Sequence, residues 1–304
     1  MMRACRWMAA VAVGGMLAMG AAQAKEPVVV SSKIDTEGSV LGQLIIQRLE
    51  QGGVPTENRL QLGGTSIVRK AIKAGEIDLY PEYTGNGAFF FDMADKPLWN
   101  KADAAYRKVR ELDRRKNDLV WLQPARANNT WAMSVRRDFA NEHDLRTLED
   151  LARHLGNGGE FRFAASAEFV DSEAALPAFQ QAYGFELGAD QLLVLSGGDT
   201  AATMRAAATD DNNVTGAMTY GTDGGLDALG LVVLEDTKGV QPVYQPAPVV
   251  RAPVLEAHPE IRSLLEPVFA ALDLTTLQRL NGQVAVEGRA ARDVAAEFLA
   301  SLND

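Results

Sequence analysis

Short runs of β-branched and aliphatic residues alternate along the chain with stretches whose apolar positions recur at helical spacing. Pro27–Ser31 has the pattern of a buried strand, and Ser39–Gln51 sets Val40, Leu44 and Leu49 at helical spacing before Gly52-Gly53 stops it. Asn58–Leu62 reads as a second strand, Ser66–Ala74 as a short amphipathic helix ended by Gly75, and Glu76–Tyr80 as a third strand. This order predicts an α/β layer with a parallel sheet. A helix over Asp103–Lys116 and a strand over Asp118–Leu122 follow, and then the Asn-rich segment Gln123–Thr130 reads as a crossover between domains. The second unit takes strands at Trp131–Val135, Phe161–Ala165, Gln191–Leu195 and Val214–Tyr220, with helices at Thr147–Leu155, Glu173–Tyr183 and Asp199–Ala208. The proline-rich run Gly239–Pro253 is the expected return. Glu260–Leu272, Thr275–Val286 and Arg289–Leu302 are then helices that pack back on the first unit.

The expected architecture is therefore α/β, with two lobes joined by two crossing strands around a ligand cleft. Lobe 1 takes residues 25–127 and returns with the C-terminal helices over 245–304, and lobe 2 takes 128–244. Clefts between domains are favoured ligand sites. The competing arrangement is one large doubly wound domain, since a chain of this length lies near the limit for a single core.

Residues 1–24 stand outside this pattern. Arg3 and Arg6 precede the apolar run Met8–Met19, and Ala22-Gln23-Ala24 has the small-x-small form that signal peptidase reads, so a cleaved signal peptide and a periplasmic mature chain are expected. A retained membrane anchor would need about 20 apolar residues without that cleavage pattern. The single cysteine, Cys5, lies ahead of the apolar run, whereas a lipid-attachment cysteine would follow it. Beyond the leader no cysteine remains, which excludes disulfides, thiol catalysis and cysteine metal sites. The formal net charge of −10 argues against nucleic acid and anionic membranes and favours a cationic ligand, although acidity also serves solubility.

Catalytic chemistry is sparse. His143, His154 and His258 sit in charged or helix-terminal contexts and read as surface or capping residues. No H-E-x-x-H, G-x-S-x-G or Walker-type loop occurs, so neither an enzyme nor a cofactor or metal is expected. Gly197-Gly198-Asp199-Thr200 is either an anion site at a helix N-terminus or an ordinary capped turn, and Asp210-Asp211-Asn212-Asn213 lacks the EF-hand spacing and reads as a solvated loop.

The aromatic residues carry more information. In Ile77–Phe91, Pro81 should end or edge the strand and present Tyr83 at a turn, and the run Thr84-Gly85-Asn86-Gly87 supplies a possible helix N-cap and permissive glycines. Trp131 follows Asn128-Asn129-Thr130, Tyr220 precedes Gly221-Thr222-Asp223, and Tyr244 lies inside the proline-rich return. Each alone fits core packing or an exposed ring. Converging on a cleft, they form a box for a quaternary ammonium, which offers no conventional hydrogen bond and is held by ring quadrupoles.

The segments S-S-K-I-D-T-E (Ser31–Glu37), L-Y-P-E-Y-T-G-N-G (Leu79–Gly87), N-N-T-W-A-M (Asn128–Met133), S-G-G-D-T-A-A (Ser196–Ala202), Y-G-T-D-G-G (Tyr220–Gly225) and Y-Q-P-A-P-V-V-R (Tyr244–Arg251) resemble the substrate-binding proteins of osmoprotectant ABC importers. The resemblance runs in order along the whole chain beyond the leader. It implies a type II periplasmic-binding-protein fold, expected to be monomeric, that closes on glycine betaine, choline or a related solute and docks on a membrane permease served by a separate ATPase. It also implies ligand contacts from Lys33, Tyr83, Trp131, Tyr220 and Tyr244, with Trp131 standing where the family has Tyr. Two places depart from the family pattern: Asn86 follows Gly85, and Ser172 stands where an arginine would clamp a betaine carboxylate. Lys33, Asn86 and Ser66 would then serve the polar end of the ligand. An exported binding or sensor protein of the same fold, without a major uptake role, is the other expectation.

Overall fold

The computed structural model describes residues 26–195 and 200–302. The leader and the Gly197-Gly198-Asp199 turn lie outside these residues. The ten strands among them are β1 (Val28–Lys33), β2 (Thr56–Gly63), β3 (Leu79–Tyr83), β4 (Leu119–Trp121), β5 (Trp131–Arg136), β6 (Phe163–Ser166), β7 (Leu192–Leu195), β8 (Gly216–Tyr220), β9 (Leu231–Val233) and β10 (Pro246–Arg251). They form two five-stranded sheets, ordered β2-β1-β3-β10-β4 and β7-β6-β8-β5-β9.

Neither sheet is purely parallel, which corrects the expectation from the strand–helix alternation. β10 runs antiparallel to β3 and β4, and β5 antiparallel to β8 and β9. The reason is topological. Each of these strands enters its lobe directly from a crossing segment, from the end where β1, β3 and β8 finish, so it must run against them.

Side-chain alternation splits the first lobe's interior between the two faces of its sheet. Leu79 and Val250 join Val28 and Val30 on one face, covered by helix Thr36–Gln51 through Val40, Leu44 and Leu49. The same cluster takes Ile261, Phe269, Leu277, Val294 and Phe298, so the C-terminal helices Glu260–Ala270, Leu274–Ala285 and Ala291–Ser301 pack on lobe 1. Tyr80 and Val249 face the other way, onto Trp99, Trp121 and Ile72. In the second lobe Met133, Phe163 and Met218 meet Phe139, Phe169 and Phe179 on one face, while Ala164 and Ala217 meet Met204 and Leu226 on the other.

Two local expectations are corrected. Pro81 does not end β3 but lies inside it, opposite Pro248. Leu122 N–H donates to the Pro248 carbonyl at 2.9 Å, so Pro248 directs its polar groups at β4. Antiparallel alternation then turns the Pro81 nitrogen toward β1, whose pairing with β3 ends at Leu79, and no ladder bond is lost. The stretch read as one helix over Glu173–Tyr183 is instead Leu176–Tyr183, with Pro177 in its first turn where an N–H is not needed, preceded by a separate helix Ala167–Asp171. The histidines are helix-terminal as read: His143 and His258 stand at the C-caps of helices Arg137–Glu142 and Ala252–Ala257, the latter buried, and His154 lies in the last turn of helix Leu148–Gly156 with its ring centroid 4.6 Å from that of His143.

Candidate functional site

A cleft of about 830 Å³ opens between the two sheets, lined from both lobes and from the crossing segments. It sits at the C-terminal ends of β1, β3 and β8 and the N-terminal end of β5, where an open α/β sheet offers a crevice to a ligand.

β1 delivers Lys33, which is buried. Its Nζ lies 2.6 Å from Glu82 Oε1 and 4.4 Å from the centroid of the Tyr83 ring. The chain then turns through Asp35, whose carboxylate accepts from Gly38 N–H at 2.6 Å and caps helix Thr36–Gln51. That cap places Glu37 in the first helical turn, facing the cleft. Its carboxyl group accepts from Tyr83 OH (2.7 Å) and Asn129 Nδ2 (3.2 Å) on Oε1, and from Asn281 Nδ2 (2.8 Å) on Oε2. Burial pushes Glu37 above the usual carboxylate range, and hydrogen bonds from Thr222, Tyr83 and Asn281 oppose the rise. Tyr83 is pushed well up in turn, first by burial and then by the charge of Glu37.

At the end of β3, Glu82 is fully buried and accepts at Oε1 from Lys33, from Tyr83 N–H (2.7 Å) and from Asn86 Nδ2 (2.7 Å), with Tyr80 OH 3.1 Å from Oε2. Within Thr84–Gly87 it is Asn86 that takes the N-cap position, of the short helix Gly87–Phe90, without a capping bond from its side chain, and Thr84 serves the crossing. Its hydroxyl donates to the Val243 carbonyl and accepts from Gln245 N–H, both at 3.1 Å, tying β3 to the return crossing. Gly85 is required at its place, since a Cβ there would lie 2.7 Å from the Tyr244 ring and 2.9 Å from the Val243 carbonyl oxygen.

Lobe 2 supplies an aromatic pair. Trp131 opens β5 directly across from Tyr220 at the end of β8, and the rings stack with centroids 6.5 Å apart and 25° between planes. Phe169 meets Trp131 edge-on at 5.8 Å, fixing the indole from behind. Tyr244 comes from the return crossing, positioned by its N–H donating to Asn128 Oδ1 at 2.8 Å. Burial raises Tyr220 and pushes Tyr244 to about 12, so both phenols stay neutral at physiological pH.

Lys33, Tyr83, Asn86, Trp131, Tyr220 and Tyr244 thus line one cleft. Ser66 and Ser172 do not. Ser66 is exposed on helix Thr65–Ala74, and its neighbour Thr65 reaches the cleft instead. Ser172 ends helix Ala167–Asp171, and from its segment Ala174 lines the cleft. Glu37, Asn129 and Asn281 were not foreseen. The Asp35 cap followed by an acidic residue in the first turn was a readable sign of Glu37, whereas Asn281 arrives from a helix far along the chain. Among the described residues no cluster of three metal-ligating side chains occurs, and no helix is long and apolar enough to cross a membrane.

Two mixed α/β sheets, two crossings and a cleft lined from both sides define a two-lobed solute-binding protein. The chain belongs to the family of the substrate binding domain of ABC-type glycine betaine transport systems, whose profile matches residues 26–301. It is 57% identical over 277 residues to the glycine betaine-binding protein YehZ of Escherichia coli strain K12, covering 91% of each chain. A glycine-betaine-binding protein of Pseudomonas aeruginosa is 33% identical over 294 residues, covering 95% of this chain and 91% of the relative. The solved structure of apo YehZ superposes with a TM-score of 0.87 at 56% identity, covering 91% of this chain and 99% of that one.

Proposed function

We propose that this chain is the periplasmic solute-binding component of an ABC importer for quaternary-ammonium osmoprotectants such as glycine betaine or choline. It is delivered by a cleaved leader, acts as a monomer, and hands its ligand to a membrane permease driven by a separate ATPase. The observation that carries the reading is the convergence of the Trp131–Tyr220 stack and Tyr244 on a cleft that also holds the buried acid Glu37. Aromatic faces attract an ammonium that cannot donate hydrogen bonds, and an acidic wall adds to that attraction. Each desolvated face contributes about 0.5–2 kcal/mol, so three supply at most about 6 kcal/mol, and the acidic wall and burial of the ligand's apolar surface must supply the rest of the affinity.

Calorimetric titration with glycine betaine and choline, extended into the millimolar range, tests this directly. Trp131→Ala should weaken binding roughly five- to thirtyfold, the equivalent of about 1–2 kcal/mol, while far-UV ellipticity stays that of the folded chain. Wild-type affinity in the folded variant would remove the cage. Absence of heat with both solutes would remove the quaternary-ammonium assignment.

A further inference from the structure

We propose that Phe89 is a ligand-contacting residue, the aromatic face that lobe 1 lays on a quaternary ammonium from across the cleft of the Trp131–Tyr220 stack. The inference rests on reading the cleft as a quaternary-ammonium site. From Thr84 to Phe90 the backbone is helical, first as the tight turn Thr84–Asn86 and then as helix Gly87–Phe90. Asn86 and Phe89 are three residues apart and so share one face, and both line the cleft. The other positions of the turn are fixed to lobe 1. Ala88 is buried, and a Cβ on Gly87 would lie 2.7 Å from the Trp99 ring, so the backbone presses against that core. Phe90 lies 4.2 Å from the guanidinium of Arg69, which the buried Asp113 holds at 2.9 Å. Phe91 packs on the same core and takes Lys116 Nζ at 5.3 Å from its centroid.

Phe90 and Phe91 thus each turn a ring face to a cation of this chain, whereas Phe89 is 63% exposed and meets no ring or cation among the described residues. Of the large apolar side chains exposed among those residues, it alone lines the cleft. Tyr83 is the other aromatic residue that lobe 1 gives to the cleft wall, and it has no face to offer. It is buried, its hydroxyl donates to Glu37, and the Lys33 ammonium already lies 4.4 Å from its centroid. A quaternary ammonium set against Phe89 covers a ring that otherwise stands in water. The methyl groups and the ring both lose apolar exposure, and the ring quadrupole attracts the charge. Glycine betaine and choline carry the same trimethylammonium group, so Phe89 serves both.

Calorimetric titration of wild type, Phe89→Leu and Phe89→Tyr with glycine betaine and with choline chloride tests the inference. Leucine keeps an apolar side chain and removes the ring, and tyrosine keeps the ring. Because the position is exposed, far-UV ellipticity and urea midpoints of both variants should match wild type. Phe89→Leu should weaken both solutes by a similar factor, about threefold to thirtyfold, while Phe89→Tyr stays close to wild type. Wild-type affinity in Phe89→Leu, a loss confined to one of the two solutes, or a loss that Phe89→Tyr shares in full overturns the inference. Where Trp131→Ala still weakens binding in the same assay, the quaternary-ammonium reading then stands without Phe89. Failure of wild type to bind either solute overturns that reading and this inference with it.

Discussion

Glu37 meets both lobes through one carboxyl group. Tyr83 donates to it from β3, Asn281 from the C-terminal helix Leu274–Ala285, and Asn129 from the first crossing, and Thr222 beyond β8 also bonds to it. Its acidic charge is well placed at a helix N-terminus, but removal from water dominates and raises its pKa above the ordinary 4.5. The sign of the consequence follows. Between pH 4.5 and its raised folded value the native chain holds this proton more tightly than the unfolded chain, so the stability Glu37 contributes is complete below 4.5 and is lost as pH rises through the folded value. Urea midpoints of wild type and Glu37→Gln, measured in steps from about pH 4 to about pH 7, isolate that contribution because other groups cancel. The stability of wild type relative to the variant should fall with rising pH. A difference that grows with pH would mean that the donors around Glu37 outweigh its burial.

At the scale of elements, the cleft depends on how β3 and the return crossing touch. Gly85→Ala would drive a Cβ against both the Tyr244 ring and the Val243 carbonyl, a backbone contact that cannot yield cheaply. The expected cost is about 1–3 kcal/mol in urea unfolding, with displacement of Tyr244 weakening choline by up to about tenfold. Binding that survives the destabilisation undiminished would separate Tyr244 from the site. Much at this scale was legible in the sequence, for identifiable reasons. Apolar spacing marked the helices, and Gly52 and Gly75 marked their ends. The placement of aromatics beside turn residues located Tyr83, Trp131, Tyr220 and Tyr244 at one cleft, which periodicity alone would have assigned to four unrelated element ends. What was not legible depends on distant partners. Whether Pro81 breaks β3 is decided by which side β10 approaches, and the direction of β10 and β5 by where the crossings enter. The choice of Thr65 over Ser66 turns on a rotation of one residue about a helix axis, finer than spacing can resolve.

For the whole molecule, the question is whether two lobes with separate cores behave as one cooperative unit. The crossings bind each other through Asn129 N–H to the Tyr244 carbonyl at 3.0 Å. Helix Leu274–Ala285, packed in lobe 1, reaches the loop after β8: Gln278 Nε2 donates to the Gly221 carbonyl at 2.7 Å and Asn281 Nδ2 to that of Thr222 at 2.9 Å. Gly224 and Gly282 allow that approach, since a Cβ on Gly224 would come within 2.2 Å of the Gly282 nitrogen. Contacts of this kind couple the lobes already without ligand, and a solute touching Tyr244 from the crossing and the Trp131–Tyr220 stack from lobe 2 adds to the coupling. The tryptophans make this measurable. Trp99 and Trp121 are fully buried in lobe 1 and Trp131 lies in lobe 2, so in a Trp131→Phe variant the emission beyond the leader follows the lobe 1 core, whereas far-UV ellipticity follows both lobes. The two signals should trace one transition in heat or urea, and choline at a hundred times its Kd should shift both together by about 2.7 kcal/mol, since a ligand held only by the folded cleft stabilises through mass action. A second ellipticity transition that buried-tryptophan emission does not follow would show the lobes unfolding separately, and the contacts at Gly221, Thr222 and Gly224 would then be too weak to make them one unit.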